Sequence, residues 1–586
     1  MCGIFGYIGP KSNAAEIVLD GLKLLEYRGY DSWGVAVKSG NEIKVDKHVG
    51  KIGNAVVNLP ESTLGIGHTR WATHGGVTDI NAHPHLDCSQ QIAVIHNGII
   101  ENFEELKEEL VQKGHTFISE TDTEVMPHLI EEYLKTEGFA KAFRTAFNRL
   151  HGLNAIVATY APTDEIIAAK TGSPLVVGVG DHELFLASDS AGIIPHTRKL
   201  VFVKDGEMIV LSDHLQLLSL STGNELEAQI EEVDWTIEDV NMGKYPHFML
   251  KEMHEQANII RNIASTYDDQ IEDMGRTIAN AFGTYFIGAG TAYHATLAGT
   301  YYFSKIAKKH VNTAPASEFN YLEDFLTNKS LIIALSQSGE TIDVIEPLNR
   351  AKEKGSKIAT LVNSLGSTIY RMADKKILLG AGPEKAVAST KAYTAKLSIL
   401  LLLAYSIRGE IEKGKDELRR AADEVERLLS DESIRELDAV AESLLNAEHM
   451  YTVGRGVSFP TALEAALKVK EITYIHTEGL AGGELKHGPI ALISKGTPCI
   501  VFTPKDETYA AMISNAREIK ARGGLIIGVG EKKEDVFDHF IEVHDCGNAS
   551  SIAQIVPIQY LSYALAVQKQ LDPDKPRNLA KSVTVK

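Results

Sequence analysis

The chain has 586 residues, with 59 Lys and Arg against 78 Asp and Glu for a formal charge of −19, and is 44% hydrophobic and 23% charged. That length exceeds what one hydrophobic core can serve, so three or four domains are expected, and the composition is globular rather than disordered or fibrous. The acidic balance argues against a nucleic acid or an anionic membrane face as partner, although a few backbone N–H groups can still hold one small phosphate.

Met1 is followed by Cys2-Gly3-Ile4-Phe5-Gly6. If the initiator is removed, as a small second residue permits, Cys2 presents its thiol and its own α-amino group together, a nucleophile and a base in one residue. Up to about 210, short β-rich runs (Ile92–Ile95, Ala155–Tyr160, Leu175–Val179, Leu200–Val203) alternate with Gly/Asn/Asp turns, and helices are expected at Ala14–Leu25 and Glu104–Lys113. This pattern predicts an α+β domain rich in antiparallel sheet. The four cysteines (Cys2, Cys88, Cys499, Cys546) lack C-x-x-C pairing, so neither a zinc site nor a disulfide framework is expected, and a reducing cytoplasm fits. No leader pattern is visible at the start, and the longest apolar run, Leu397 to Ile407, reads as a buried core helix too short to span a bilayer.

Three segments of this region carry a resemblance: Gly67-His68-Thr69-Arg70-Trp71-Ala72-Thr73-His74-Gly75, His96-Asn97-Gly98-Ile99-Ile100-Glu101-Asn102 and Ser119-Glu120-Thr121-Asp122-Thr123-Glu124. With Cys2 they resemble the class II glutamine amidotransferases, whose N-terminal nucleophile (αββα) fold the resemblance implies. It further implies that Arg70 grips the glutamine α-carboxylate, that Asn97 and the Gly98 N–H form the oxyanion hole, and that Asp122 receives the α-ammonium. Trp71, Thr73, His74 and His83 complete the implied glutamine pocket, with Trp71 as the gate for ammonia. On the residues alone, Arg70 and Asp122 could be a surface ion pair, His-Asn-Gly a hairpin turn, and His74 and His83 structural histidines.

An acidic, irregular stretch from Ser212 through Lys244 reads as a linker. Beyond it, helical periods alternate with compact strands at Phe286–Ile287, Leu331–Leu335, Lys357–Val362 and Lys376–Leu379, then Met450–Val453, Pro498–Phe502 and Gly524–Val529. That alternation predicts a doubly wound parallel α/β architecture. It is repeated: Gly290 and Gly456 are 166 residues apart, and Thr341 and Thr508 are 167 apart.

In the first copy Ser336-Gln337-Ser338-Gly339-Glu340-Thr341 places hydroxyls and free N–H groups between a strand end and a helix start, a phosphate cradle without lysine. In the second copy Thr503-Pro504-Lys505-Asp506 substitutes a proline and a carboxylate, so only the first should bind phosphate. The pattern resembles the sugar isomerase (SIS) family, whose other sugar loops match Gly288-Ala289-Gly290-Thr291 and Val387-Ala388-Ser389. Spacing puts Glu464, Lys468 and Glu471 on one helix face, where an ordinary solvated ion pair is the bland alternative.

The segments Gly482 to Pro489 and Pro576 to Lys586 closely resemble the isomerase half of the glucosamine-6-phosphate synthases. That resemblance implies transfer of the glutamine amide nitrogen to fructose 6-phosphate at the entry to hexosamine synthesis, without cofactor or metal, in a homodimer. It implies sugar-phosphate contacts from Thr291, Ser336, Gln337, Ser338, Thr341, Val387, Ala388 and Ser389. Its implied catalytic roles are an imine at Lys581, proton shuttling by Glu471, assistance at oxygen by Lys468, and ring opening by His487 lent from a neighbouring subunit. Free ammonia would be lost to water, so a dry internal passage is expected, with the tail carrying Lys581 near the linker.

The expected organisation is an amidotransferase domain (1–215), a linker (216–250), a first, flavodoxin-like SIS domain (251–410), inter-domain helices (411–435), a second such domain (436–575) and a catalytic tail (576–586). Trp33 and Ala292 depart from the family pattern, which more often has alanine and serine there. The competing readings are an SIS deaminase or deglycase running without glutamine and a non-catalytic sugar-phosphate sensor; the N-terminal segments oppose the first, and idle Glu471, Lys468 and Lys581 the second. An amidophosphoribosyltransferase would need an acidic diphosphate-binding loop that the sequence lacks.

Overall fold

In the computed structural model, which describes residues 2–233 and 241–583, the polypeptide forms two compact units, residues 1–241 with 580–586, and residues 242–579. The last part of the expected tail motif, Thr584 to Lys586, and the linker segment 234–240 lie outside the described residues.

In the first unit two antiparallel sheets stack face to face. One holds eight strands, with Gly3–Ile8 between Leu184–Ala187 and Leu64–Arg70, and the other seven, with Ile92–Gly98 beside Asn154–Tyr160. Period-two alternation sends Ile4 and Ile66 from one sheet and Ile95 and Val157 from the other into the layer between them. The opposite faces are covered by helices. Phe5 packs beneath helix Ala14–Leu25, where a Cβ on Gly21 would lie 2.4 Å from the Phe5 ring, and Val94 and Ile156 meet helices Phe103–Gln112, Val125–Leu134 and Phe139–Phe147. The layering is the αββα expected from the resemblance.

The stretch read as a linker begins with structure: Leu215–Ser219 and Glu225–Leu226 extend the seven-stranded sheet, and Glu231–Glu232 edges the other. These strands therefore belong to the first unit, which reaches past 215. Glu225–Leu226 and Glu231–Glu232 are short, acidic and exposed, and Leu215–Ser219 is only partly buried, so burial there is too slight to impose an apolar alternation.

The second unit contains two five-stranded parallel sheets of identical topology. The first runs Asn312–Pro315, Gly283–Gly288, Ser330–Ser336, Lys357–Val362, Lys375–Leu378; the second His476–Ala481, His449–Gly454, Pro498–Thr503, Leu525–Gly530, His539–Glu542. In each copy the order is 2-1-3-4-5, the flavodoxin-like arrangement whose ligand crevice opens where strands 1 and 3 diverge. Shared helices complete the core: Lys391–Ile407, buried from Lys391 to Tyr405, with Ile411–Leu428 and Ser550–Gln568. Asp574 accepts the N–H groups of Phe248 and Met249, both at 2.8 Å, which caps helix Phe248–Thr266 from a residue 325 positions away. No helix among the described residues is long and apolar enough to cross a membrane.

Candidate active site

Three strand ends meet at one edge of the N-terminal sandwich. Gly3 pairs with Thr69, so Cys2 and Arg70 emerge together from adjacent strands, and Ile92–Gly98 delivers Asn97 and Gly98 from the other sheet. The one-turn helix Asp122–Glu124 closes the ring. One pocket is lined by Cys2, Arg70, Trp71, Thr73, His74, His83, Asn97, Gly98 and Asp122, so the structure gathers every glutamine residue read from sequence.

The Trp71 N–H donates to Cys2 Sγ at 3.2 Å, and Asn97 Nδ2 donates to the Cys2 carbonyl at 2.9 Å. Gly98, which lines the same pocket as Cys2, takes φ +140, and a Cβ there would lie 2.3 Å from the Leu153 carbonyl, so only glycine fits this turn of the backbone. Arg70 is buried and donates to the Gly76 carbonyl at 3.0 Å and the Gly75 carbonyl at 3.2 Å, and also to the His74 carbonyl. These bonds fix the loop that carries His74. Asp122 accepts the Ile100 N–H at 2.7 Å. An ordinary surface ion pair between Arg70 and Asp122 is thereby set aside, since both are only 4% exposed.

Behind the pocket His83 joins three histidines, His68, His85 and His96, to which the sequence analysis gave no role. His68 and His83 stack at 4.2 Å between ring centres. His68 Nε2 donates to Asn97 Oδ1 at 3.0 Å and to the His96 carbonyl at 2.9 Å, which orients the Asn97 amide with its NH2 toward Cys2. The neighbouring tautomers follow from the same accounting. The His96 backbone N–H donates to His83 Nδ1 at 3.2 Å, leaving the His83 proton on Nε2, where it donates to Thr123 Oγ1 at 3.4 Å. The Thr123 hydroxyl then donates to His96 Nδ1 at 2.9 Å, and His96 Nε2 donates to Asn154 Oδ1 at 2.9 Å. Burial pushes His68 down to about 3 and also lowers His83, His85 and His96, so the network is neutral. The sequence signal of His68 and His96 was adjacency to Arg70 and Asn97.

Trp33, where the family pattern has a smaller residue, is buried against His48 of the neighbouring strand at 4.8 Å between ring centres. It is a packing residue of the sheet.

In the second unit the helices that follow strand 1 of each copy, Thr291–Tyr302 and Ser458–Thr473, face one another. Across them the Thr291 hydroxyl donates to Glu464 Oε1 at 3.0 Å and accepts from Lys468 Nζ at 3.2 Å; Lys468 meets Glu471 Oε2 at 2.6 Å, and His294 Nδ1 meets Glu464 Oε2 at 2.8 Å. Glu464 and Lys468 are 0% exposed, which rules out a solvated surface pair. Burial alone would lower Lys468, but Glu471 and Glu464 raise it above its ordinary value. Burial would raise Glu464, and Lys468 with His294 brings it below. Lys468 is therefore a fixed cation at a site where a sugar oxygen could be polarised. Glu464 was placed on this helix face from its spacing; His294 is an addition to that reading.

The cradle Ser336 to Thr341 sits at the carboxyl end of strand 3 and at the start of helix Ile342–Glu353. Ser336 Oγ lies 3.2 Å from Thr341 Oγ1 and accepts the Gly339 N–H at 3.0 Å. Gly339 has φ +66 and its Cβ would lie 2.0 Å from Ser367 Oγ, so only glycine closes this loop. Gln337 accepts the Asn363 N–H and Ser338 the Glu340 N–H, at 3.1 and 3.2 Å. In the second copy Asp506 accepts the N–H and hydroxyl of Thr508 at 2.8 and 2.6 Å, so a carboxylate stands in the loop before helix Tyr509–Lys520 where the first copy has hydroxyls.

Not every expected sugar residue is free to reach a ligand. The Val387 N–H donates to the Asp574 carbonyl at 3.0 Å, and Ser389 Oγ donates to Glu384 at 2.9 Å. Ala388 is buried between them, and Ala292 is buried in its helix. His487 is exposed on the short turn Glu484–His487 and makes no hydrogen bond to Glu464, Lys468 or Glu471. Lys581 belongs to the terminal segment that groups with the first unit.

Two family models match the chain: the glutamine amidotransferase domain over residues 68–195, and the SIS domain over 277–406 and 443–567. Proteins named glutamine–fructose-6-phosphate aminotransferase (isomerizing) match over 100% of both chains, at 46% identity from Thermococcus kodakarensis, 44% from Pyrococcus horikoshii and 42% from Thermus thermophilus. Among solved structures, the C-terminal domain of glucosamine-fructose-6-phosphate aminotransferase from Francisella tularensis is 32% identical. It covers 56% of this chain and 99% of its own, with a TM-score of 0.53.

Proposed function

The chain belongs to the family of isomerizing glutamine–fructose-6-phosphate aminotransferases, and from that premise we propose that it moves the amide nitrogen of L-glutamine to D-fructose 6-phosphate, yielding D-glucosamine 6-phosphate and L-glutamate. The observation that carries this reading is the convergence of Cys2, Asn97, Gly98, Arg70 and Asp122 on one pocket, in a chain that also buries Lys468 against Thr291 and Glu464.

Glutamine lies with its α-carboxylate toward Arg70 and its α-ammonium toward Asp122, which aims the side-chain amide at Cys2. The Cys2 α-amine, freed when Met1 is removed, takes the thiol proton as sulfur attacks the amide carbon. Asn97 Nδ2 and the Gly98 N–H hold the developing oxyanion, and the same proton leaves on the ammonia. Water then hydrolyses the thioester to glutamate. Trp71, whose N–H already touches the thiol, gates the way out.

At the sugar end, Ser336, Gln337, Ser338 and Thr341 hold the phosphate with the helix N-terminus behind them. Thr291 contacts the sugar chain, and the loop at Val387, Ala388 and Ser389 shapes the far wall. His487, supplied by a second subunit, opens the ring, Lys581 forms an imine at C2 of the open-chain ketose with loss of water, ammonia adds at that carbon and displaces the Lys581 amine, and Glu471 moves the proton between C1 and C2. Lys468 stabilises charge at oxygen. The active form is thus a homodimer, and the reduced thiol chemistry suits the cytoplasm.

The test is a coupled assay with glutamine and fructose 6-phosphate on wild type and Cys2→Ala. The variant should lose glutamine use yet keep isomerising the sugar phosphate. Amino sugar formed from glutamine at the wild-type rate would remove Cys2 from its role.

A further inference from the structure

Beyond the glutamine pocket, on the far side of the segment that carries Asp122, four side chains from three parts of the chain converge. They are Cys88, just after strand His85–Leu86; His115, after helix Phe103–Gln112; and His128 and Glu131, one turn apart on helix Val125–Leu134. Cys88 Sγ lies 3.8 Å from His115 Nδ1 and 3.6 Å from His128 Nδ1, while Glu131 Oε2 lies 3.0 Å from His115 Nδ1 and 3.4 Å from His128 Nδ1. A tetrahedral zinc ion with bonds of about 2.3 Å to sulfur and about 2.0–2.1 Å to nitrogen or oxygen separates its ligand atoms by roughly 3.3–3.6 Å. Two of the four spacings lie in that range and the other two within about 0.3 Å of it.

We propose that Cys88, His115, His128 and Glu131 form a structural zinc site. A thiolate and a carboxylate neutralise the charge of Zn2+, and two imidazoles complete a borderline-soft, four-ligand set with no open position. The surroundings support this. Both histidines turn Nδ1 inward and their other nitrogen toward a carboxylate: His115 Nε2 lies 3.1 Å from Glu132 Oε2, and His128 Nε2 lies 3.7 Å from Glu124 Oε1. A carboxylate behind the histidine fixes the tautomer that leaves Nδ1 open to the metal. His128 is only 1% exposed and its Nε2 has no hydrogen-bond partner, a cost that binding a cation at Nδ1 offsets by polarising the ring toward Glu124. The Thr116 N–H donates to Cys88 Sγ at 3.5 Å, a contact that also leaves the sulfur facing the cluster's other ligand atoms.

The ion would act as a clamp. Glu124 also accepts the N–H groups of Ile118 and Ser119, at 2.8 and 2.7 Å, so the ligand cluster and its outer carboxylates together frame the segment from 115 to 124 that ends next to Asp122. Zinc would fix that segment to the sheet and thereby hold the receptor of the glutamine ammonium. This departs from the expectation of no metal drawn from cysteine spacing.

The experiment uses the full chain in a Cys2→Ala background, so that the catalytic thiol cannot hold metal. Protein loaded with zinc and passed over a chelating resin should retain roughly one zinc per chain by elemental analysis. Cobalt substitution should give the intense visible bands of tetrahedral coordination and a thiolate charge-transfer band. Cys88→Ser should lose that band and retain no zinc, and Glu132→Gln, which removes only the outer carboxylate, should weaken zinc binding about 10- to 100-fold. Retention below a tenth of an equivalent by the Cys2→Ala parent would overturn the proposal, as would equal retention by Cys88→Ser. Thermal unfolding of both variants without metal, at the parent's temperature, confirms that the loss is one of ligands rather than of fold.

Discussion

Replacing Asn97 by alanine tests the oxyanion hole with a magnitude that the structure sets. The amide donates one hydrogen to the Cys2 carbonyl at 2.9 Å and accepts from His68 Nε2 at 3.0 Å, leaving its second hydrogen for the substrate oxygen. Removing one such donor typically costs about 10²–10³ in kcat, or about 2.7–4 kcal/mol of transition-state stabilisation. KM should move little, because Arg70 and Asp122 bind the other end of glutamine. The fold should survive, since His68 Nε2 retains the His96 carbonyl at 2.9 Å and the two hydrogen bonds lost, to the Cys2 carbonyl and from His68, amount to about 2 kcal/mol. The assay is glutamate release under initial-rate conditions, with Arg70→Ala as the contrast in which KM rises. A variant within tenfold of wild-type kcat, or one altered mainly in KM, would refute the assignment of Asn97 to the oxyanion.

Lys468→Met should abolish amino-sugar synthesis while sparing glutaminase activity, and should lower the stability of the second unit by about 3–5 kcal/mol, because Glu464 is left charged and buried; adding Glu464→Gln should restore part of the melting temperature but no synthesis. Acid should weaken the first unit. His68 is held down to about 3 against an ordinary 6.5, so the folded state binds fewer protons than the unfolded chain below that value. Stability is full above pH 6.5 and falls as pH drops toward 3, by about 1.4 kcal/mol at pH 5.5 from His68 alone. Denaturant titrations across that range should show the loss, and His68→Gln should shrink it.

Much of this could be read before any coordinates. The apolar runs Ala155–Tyr160 and Leu331–Leu335 read as strands, and each is buried along almost its whole length, the first in an antiparallel sheet and the second in a parallel one; the equal spacing of the two copies matches their shared topology. The short strands Asn312–Pro315, His476–Ala481 and His539–Glu542 escaped notice because each lies at a sheet edge, where partial burial leaves no run of apolar residues. The glutamine residues were legible because they cluster in three short segments at strand ends. Glu464 and His294 were not fully so: the role of each depends on a partner about 170 positions away, and helix spacing alone cannot distinguish a buried charge from a solvated one. The Cys88 cluster was hidden for a related reason, since its ligands combine one cysteine with residues 27 and 40 positions on.

The central claim, that nitrogen passes from glutamine to the sugar within one enzyme, is tested most directly by isotope. Glutamine labelled with 15N at the amide, supplied with fructose 6-phosphate and an excess of unlabelled ammonium, should yield glucosamine 6-phosphate carrying 15N in proportion to the glutamate released. Product bearing the unlabelled nitrogen of the medium would contradict the account.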